Sequence, residues 1–269
     1  MNTLIWKLGL FIVCTSMIVH SQEIRVAAAS DLQFVFQEVA ARFEQQTGNS
    51  VKLSFGSSGN FFSQIQNGAP YDLFFSADAE YPHQLESAGF TEPGTLQQYA
   101  TGKIVLWTTS DSGLDVSRGL SVLLESGVTK IALANPMHAP YGRAAVEALK
   151  AAGIYDKITN KLIYGENVSQ AAQFVASGNA QAGILAFSLA ASPVMKAKGK
   201  YFIVPADSYS TLDQVGVVLR SSQQKKVAKC FMEFIGGVEI TELMREYGFE
   251  LAGVPLLASK KPVQKFCCC

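Results

Sequence analysis

The sequence predicts an α/β protein of two lobes, each a central, mainly parallel sheet flanked by helices, joined by a two-segment hinge. Three observations carry this. Short apolar runs alternate with segments of helical period, the pattern of parallel strands crossed by helices. The chain has 269 residues, 48% hydrophobic and 16% charged, enough for two packed cores. Two polar, turn-rich stretches, one between Ala100 and Lys103 and one around Asp207 to Asp213, divide it.

The elements follow in order. Strands are expected at Ile24–Ala29, Val51–Phe55, Asp72–Ser76, Lys103–Thr108, Lys130–Asn135, Lys161–Tyr164, Ala182–Phe187, Tyr201–Val204 and Gln214–Leu219. Amphipathic helices lie between most of them. In the first, Leu32, Val35, Phe36, Val39 and Phe43 share one face, and Gly48 ends it. Residues Ala144 to Leu149 and Val227 to Ile235 repeat the helical period. The expected organisation is a signal peptide over 1–21, a first lobe from 22–102 and 208–266, a second lobe from 103–207, and a disordered tail at 267–269.

The N-terminus reads as a leader for export. Lys7 gives a positive start, and Leu8 to Val19 is an apolar run too short to span a bilayer comfortably. Val19-His20-Ser21 offers small residues for cleavage before Gln22. The residues before Cys14 do not make a lipobox. Twenty-two basic residues balance 22 acidic ones, and removal of the leader takes Lys7 and no acid, leaving a charge of −1. No basic block is present to follow a nucleic-acid backbone.

Five cysteines do not make a disulfide framework, because Cys267, Cys268 and Cys269 are adjacent. Cys230, on a predicted helix, reads as a small buried hydrophobe. His83 and His138 have no metal-ligand spacing and are expected at the surface.

In open α/β sheets, ligands bind beyond the carboxyl ends of strands. Four strand ends here run into helix starts rich in small or hydroxyl residues: Ser30-Asp31, Ser57-Ser58-Gly59, Tyr141-Gly142 and Asn167-Val168-Ser169. A helix N-terminus leaves N–H groups unpaired and carries partial positive charge, so such ends bind anions without Lys or Arg. Each residue taken singly also reads as an ordinary N-cap.

Five stretches lift that reading. They are Val26-Ala27-Ala28-Ala29-Ser30-Asp31-Leu32, Phe55-Gly56-Ser57-Ser58-Gly59, Gly68-Ala69-Pro70-Tyr71-Asp72-Leu73-Phe74-Phe75-Ser76-Ala77-Asp78, Gly165-Glu166-Asn167-Val168 and Tyr247-Gly248-Phe249. In this order, across Ile24 to about Gly248, the chain resembles the periplasmic molybdate- and tungstate-binding proteins of molybdate ABC transporters. The resemblance implies a type II periplasmic-binding-protein fold that closes on a tetrahedral oxyanion. It implies ligand contacts from Ser30, Ser58, Tyr141 and Val168, the last through its backbone N–H. No residue is expected to touch the metal itself, and no cofactor is implied. The implied partners are the molybdate or tungstate oxyanion and a membrane permease. The implied protein is a periplasmic monomer without catalytic activity.

One family feature is missing. Some members place a tyrosine hydroxyl on the oxyanion after the Gly-Ile strand, but Gly183-Ile184-Leu185 here runs into Ala186. Tyr141 is then left to give its phenol, its backbone N–H, or both. An inward carboxylate would repel a dianion, so Asp31 is expected to point away and favour the start of its helix. Arg143 is expected on a solvated face instead of at the ligand.

Two alternatives stand beside this reading. One is a binding protein for another oxyanion or a small organic anion, such as sulfate or phosphate, because fold does not fix function. The other is a hydrolase. No Gly-x-Ser-x-Gly elbow, phosphate loop, dinucleotide fingerprint or His-Glu-x-x-His occurs. A pair such as Ser58 with His138 depends on geometry; a base within hydrogen-bond reach of a serine is the feature that would favour it.

Overall fold

The structure is a computed structural model and describes residues 21–251. Cys14, the terminal cysteines Cys267, Cys268 and Cys269, and all of the expected signal peptide except Ser21 lie outside the described residues.

Among the described residues, ten strands form two five-stranded sheets flanked by ten α-helices. The strands are β1 (Glu23–Ala29), β2 (Ser50–Gly56), β3 (Leu73–Ser76), β4 (Gln97–Gly102), β5 (Ile104–Thr109), β6 (Ile131–Ala134), β7 (Leu162–Gly165), β8 (Ala182–Ala186), β9 (Gly199–Ile203) and β10 (Leu212–Val218). The helices are α1 (Gln33–Thr47), α2 (Ser58–Gln66), α3 (Glu80–Ser87), α4 (Pro140–Ala151), α5 (Tyr155–Ile158), α6 (Val168–Ala176), α7 (Phe187–Ala191), α8 (Pro193–Lys198), α9 (Lys225–Ile235) and α10 (Val238–Glu246).

The first sheet has the order β2-β1-β3-β10-β4 and the second β7-β6-β8-β5-β9. Each has one reversed strand. β10 is antiparallel to both β3 and β4, and β5 is antiparallel to both β8 and β9. These are the strands that begin where the chain passes from one sheet to the other. The rest is parallel, as βαβ crossovers require.

β4 was not expected. Residues 97–102 fall in none of the expected strands, and Ala100 to Lys103 read as polar and turn-rich, yet 97–102 pair with β10 at the sheet edge. An edge strand needs no apolar pattern on both faces, and Gln97 and Gln98 are exposed here. The passage between sheets is therefore not a loop from Ala100 to Lys103. It is the single residue Lys103, between Gly102 and Ile104. The second passage runs from Val204 to Thr211.

The cores explain why the helices form. α1 buries Val35, Phe36, Val39 and Phe43 and ends at Gly48, whose φ of 72° suits the left-handed cap. Phe36 meets Phe75 edge-on at 4.9 Å, and Phe43 meets Phe231 at 5.0 Å. On β1, Ile24, Val26 and Ala28 pack on this side of the sheet, while Ala27 packs with Phe61 and Phe74 on the other. The second core gathers around Trp107, which is fully buried. Cys230 is buried as its helical position predicts, but it is disulfide-bonded and not a free small hydrophobe. Every other cysteine of the chain lies outside the described residues.

Candidate functional site

The carboxyl ends of β1 and β2 in the first lobe face those of β6 and β7 in the second. Ser30, Ser58, Tyr141 and Val168 all line one narrow cleft there, with about 10 Å³ open to a water-sized sphere. Ser30 directly follows β1 and Ser58 opens α2. Tyr141 is the second residue of α4 and Val168 the first of α6. Three helix N-termini thus converge from both lobes.

The serines are not caps. The three-residue turn at Ser30 begins after Ala29, and the N-cap of α2 is Ser57. Ser30 Oγ accepts a hydrogen bond from Ser169 N at 3.3 Å, across the lobes. Ser58 Oγ accepts one from Ala77 N at 3.0 Å. Each hydroxyl, having accepted, still carries a proton to donate. Asn167 does serve as a cap: its Oδ1 accepts from Gln170 N at 3.0 Å. That leaves the first amide of α6, at Val168, facing the cleft without an intrahelical partner. In α4 the N-cap Ala139 has no side chain to cap with, so the amide of Tyr141, in the first turn, is likewise without an intrahelical partner.

Gly142 and Gly59 make the approach possible. A Cβ on Gly142 would run into the backbone carbonyl of Ala134. One on Gly59 would lie 2.7 Å from His138 O, the atom that accepts from Gly59 N at 2.9 Å.

Four side chains lie otherwise than the sequence suggested. The Tyr141 phenol is buried; it donates to Asp31 Oδ2 at 3.1 Å and accepts from Gln214 Nε2 at 3.0 Å. It sits against Gly102, where any side chain would collide with it. Its hydroxyl is thus engaged at the lobe junction. Asp31, expected to point away and favour the start of its helix, directs its carboxyl to Gln214 and Tyr141. It is 1% exposed, and its Oδ2 accepts from Gln214 Nε2 at 2.7 Å. Burial lifts its carboxyl from an ordinary 3.8 to about 6, against the hydrogen bonds of Gln214 and Tyr141.

Arg143 is not on a solvated face. It pairs with Asp78 across the lobes and lies 5.6 Å from the centre of the Tyr81 ring. Burial pushes the Asp78 carboxyl up, and the Arg143 charge pulls it down. His138 is not a free surface residue either. Its Nδ1 is 2.8 Å from Ser57 Oγ, and its Nε2 is 4.0 Å from Glu166 Oε2. Glu166 also takes a hydrogen bond from Asn60 Nδ2. His83 is exposed.

Gln214 carried a signal that sequence reasoning passed over. A glutamine heading an apolar strand, here fully buried, needs partners. It finds Tyr99, whose hydroxyl is 2.7 Å from its Oε1, besides Tyr141 and Asp31. Ser57 and Asp78 gave no such signal, because their partners come from the other lobe.

A larger opening beside this cleft is lined by Asp78, Glu80, Glu147 and Asp213 with only Arg143 in balance. That wall suits an anion poorly. Among the described residues, no group of three or more His, Cys, Asp or Glu could hold a metal ion, and no helix is long and apolar enough to cross a membrane.

Residues 24–250 match the family described as bacterial extracellular solute-binding protein. The chain is 37% identical over 232 residues to the molybdate-binding protein ModA of Azotobacter vinelandii, covering 86% of this chain and 91% of that one. It is 36% identical over 227 residues to ModA of Rhodobacter capsulatus, covering 84% and 88%. Among solved structures, the periplasmic molybdate-binding protein of Azotobacter vinelandii superposes with a TM-score of 0.80 at 35% identity, over 85% of this chain and 99% of that chain. The sulfate-binding protein SubI of Mycobacterium tuberculosis shares the fold, with a TM-score of 0.71 at 16% identity over 86% and 88%.

Proposed function

This chain belongs to the bacterial extracellular solute-binding protein family, and from that premise we propose that it captures molybdate, and tungstate, for delivery to the permease of an ABC transporter. One observation carries the choice of an oxyanion: three helix N-termini and two serine hydroxyls converge on one cleft from both lobes. The choice of molybdate comes from the two ModA relatives and the solved structure at 35% identity.

The proposed contacts are the hydroxyls of Ser30 and Ser58 and the backbone N–H groups of Tyr141 and Val168. The Tyr141 phenol is committed to Asp31 and Gln214, so its amide is the assigned donor. Hydrogen bonds to a charged ligand contribute about 1.5–3 kcal/mol each. Four such donors contribute roughly 6–12 kcal/mol in all, before the costs of closure and desolvation.

The mechanism is capture. The lobes turn about Lys103 and the stretch from Val204 to Thr211, and the dianion bridges helix ends from both. We take the first lobe as 22–102 and 208–266 and the second as 103–207. The protein acts outside the cytoplasmic membrane, as a monomer, after cleavage behind Ser21.

The Ser57–His138 pair favours a second reading, a hydrolase. It is weighed down by its own geometry. The pair spans the lobes, so opening the cleft to a substrate separates it. Glu166, 4.0 Å from the ring, has a side chain 58% exposed, unlike the buried carboxylate that orients a catalytic imidazole. We read the pair as a latch.

Thermal unfolding with molybdate, tungstate, sulfate and phosphate, each in large excess, tests the proposal. A ligand at about a thousand times its dissociation constant adds about 4 kcal/mol, a rise in Tm of about 10 °C for a chain of this size. A rise with molybdate and tungstate alone is expected. A similar rise with sulfate or phosphate would replace the reading with a general oxyanion binder, and no rise with any of the four would end it.

A further inference from the structure

Asp31 directly follows Ser30 and lines the same cleft. Its Oδ2 takes two hydrogen bonds, from Gln214 and Tyr141, while its buried Oδ1 takes none. A carboxylate offers about four lone-pair sites, so an ionised Asp31 is short of donors here.

Its surroundings are neutral. Gln214 reaches it from β10 and Tyr141 from α4, and Ser188 of α7 donates to its backbone carbonyl at 2.8 Å. The titratable groups facing it are Tyr141 and, from β4, Tyr99; Tyr209 in turn faces Tyr141. Burial pushes both Tyr99 and Tyr141 well above the ordinary phenol range, so neither brings a charge. Among the described residues no cation acts on the carboxylate. A dianion in this cleft would therefore meet an unscreened carboxylate in its wall.

We propose that Asp31 takes up one proton from solvent as the dianion binds, so that the protein captures the oxyanion and a proton together. This rests on the oxyanion reading above. The proton goes to Oδ1, which has no partner, and Oδ2 keeps its bonds to Gln214 and Tyr141. Burial already holds the carboxyl at about 6, and a like charge close by disfavours its ionised form further. The sign follows. Protonated Asp31 belongs to the bound state, so affinity is highest at low pH and falls as pH rises above about 6. It levels off once pH passes the higher value that holds with the anion bound.

The test is titration calorimetry of the chain from Gln22 onward with sodium molybdate and sodium tungstate, in buffers of different ionisation enthalpy. At pH 7, the binding heat should vary with buffer by about one proton per anion. The dissociation constant should rise by up to about tenfold per pH unit above pH 6.5. Asp31→Asn keeps an acceptor for Gln214 and Tyr141 and imitates the neutral acid. It should show neither the buffer dependence nor the pH slope. A wild-type heat that does not change with buffer would overturn proton uptake, although molybdate still binds. An unchanged buffer dependence in Asp31→Asn would overturn the assignment to Asp31. No binding of either oxyanion in any buffer would overturn the capture reading, and this inference with it.

Discussion

Ser30 and Ser58 are buried hydroxyls that accept from backbone amides and keep a proton to donate. Removing both takes two donors from a desolvated anion, where each is worth about 1.5–3 kcal/mol. Ser30→Ala with Ser58→Ala should weaken molybdate binding at least about a hundredfold by that arithmetic, with Tm in the absence of ligand little changed. Calorimetry and a melting curve check it; unchanged affinity would remove these residues from the site. Asp31 carries a prediction about stability. Its carboxyl rises from 3.8 to about 6 on folding, so the folded state holds the proton more tightly. Its favourable contribution is full below about pH 3.8 and is lost as pH rises through about 6. Asp31→Asn should therefore gain stability over the parent as pH rises from 4 to 7, by on the order of 1–3 kcal/mol. Urea unfolding at pH 4, 5.5 and 7 measures it, and a constant difference would contradict the burial argument.

At the scale of elements, the sheet ends do the positioning. Gly142 lets the start of α4 lie on the end of β6, because a Cβ there would strike the Ala134 carbonyl. Gly142→Ala should shift the start of α4 and cost both stability, about 1–3 kcal/mol as overpacking does, and oxyanion affinity. Loss of stability with affinity intact would show that α4 gives no donor. The elements were the most legible level. Nine of ten strands could be read from apolar runs, and α1 from one heptad-like face ending at Gly48. β4 was hidden because an edge strand with Gln97 and Gln98 exposed looks like a loop. The serines and helix starts were legible as candidates because they follow apolar runs directly. The roles of Arg143, His138 and the Tyr141 phenol were not. Each is decided by a partner 62 to 110 positions away in the other lobe, and local sequence has no period that reports it.

For the whole molecule, the lobes meet through polar pairs: Arg143 with Asp78, His138 with Ser57, and Asn60 with Glu166. These pairs add to closure without touching the proposed ligand contacts. Arg143→Gln should raise the molybdate dissociation rate by about three- to tenfold, as loss of a partly buried charge pair acts mainly on the off-rate. Stopped-flow displacement by tungstate reads this directly. An unaltered off-rate would mean that the pair is made and broken independently of capture. The order of the strands has another consequence. β10 lies between β3 and β4, so the first sheet cannot be completed until residue 218 is available. The second sheet needs only residues 104–203, an unbroken stretch. As a chain delivered from its N-terminus, the protein would finish its later-arriving lobe first, while β1, β2 and β3 wait with an unpaired edge at β3. Such an edge invites pairing with other chains. The delivery of residues 77–218 is therefore when this protein is most exposed to aggregation, and a chaperone that shields β3 would protect it best.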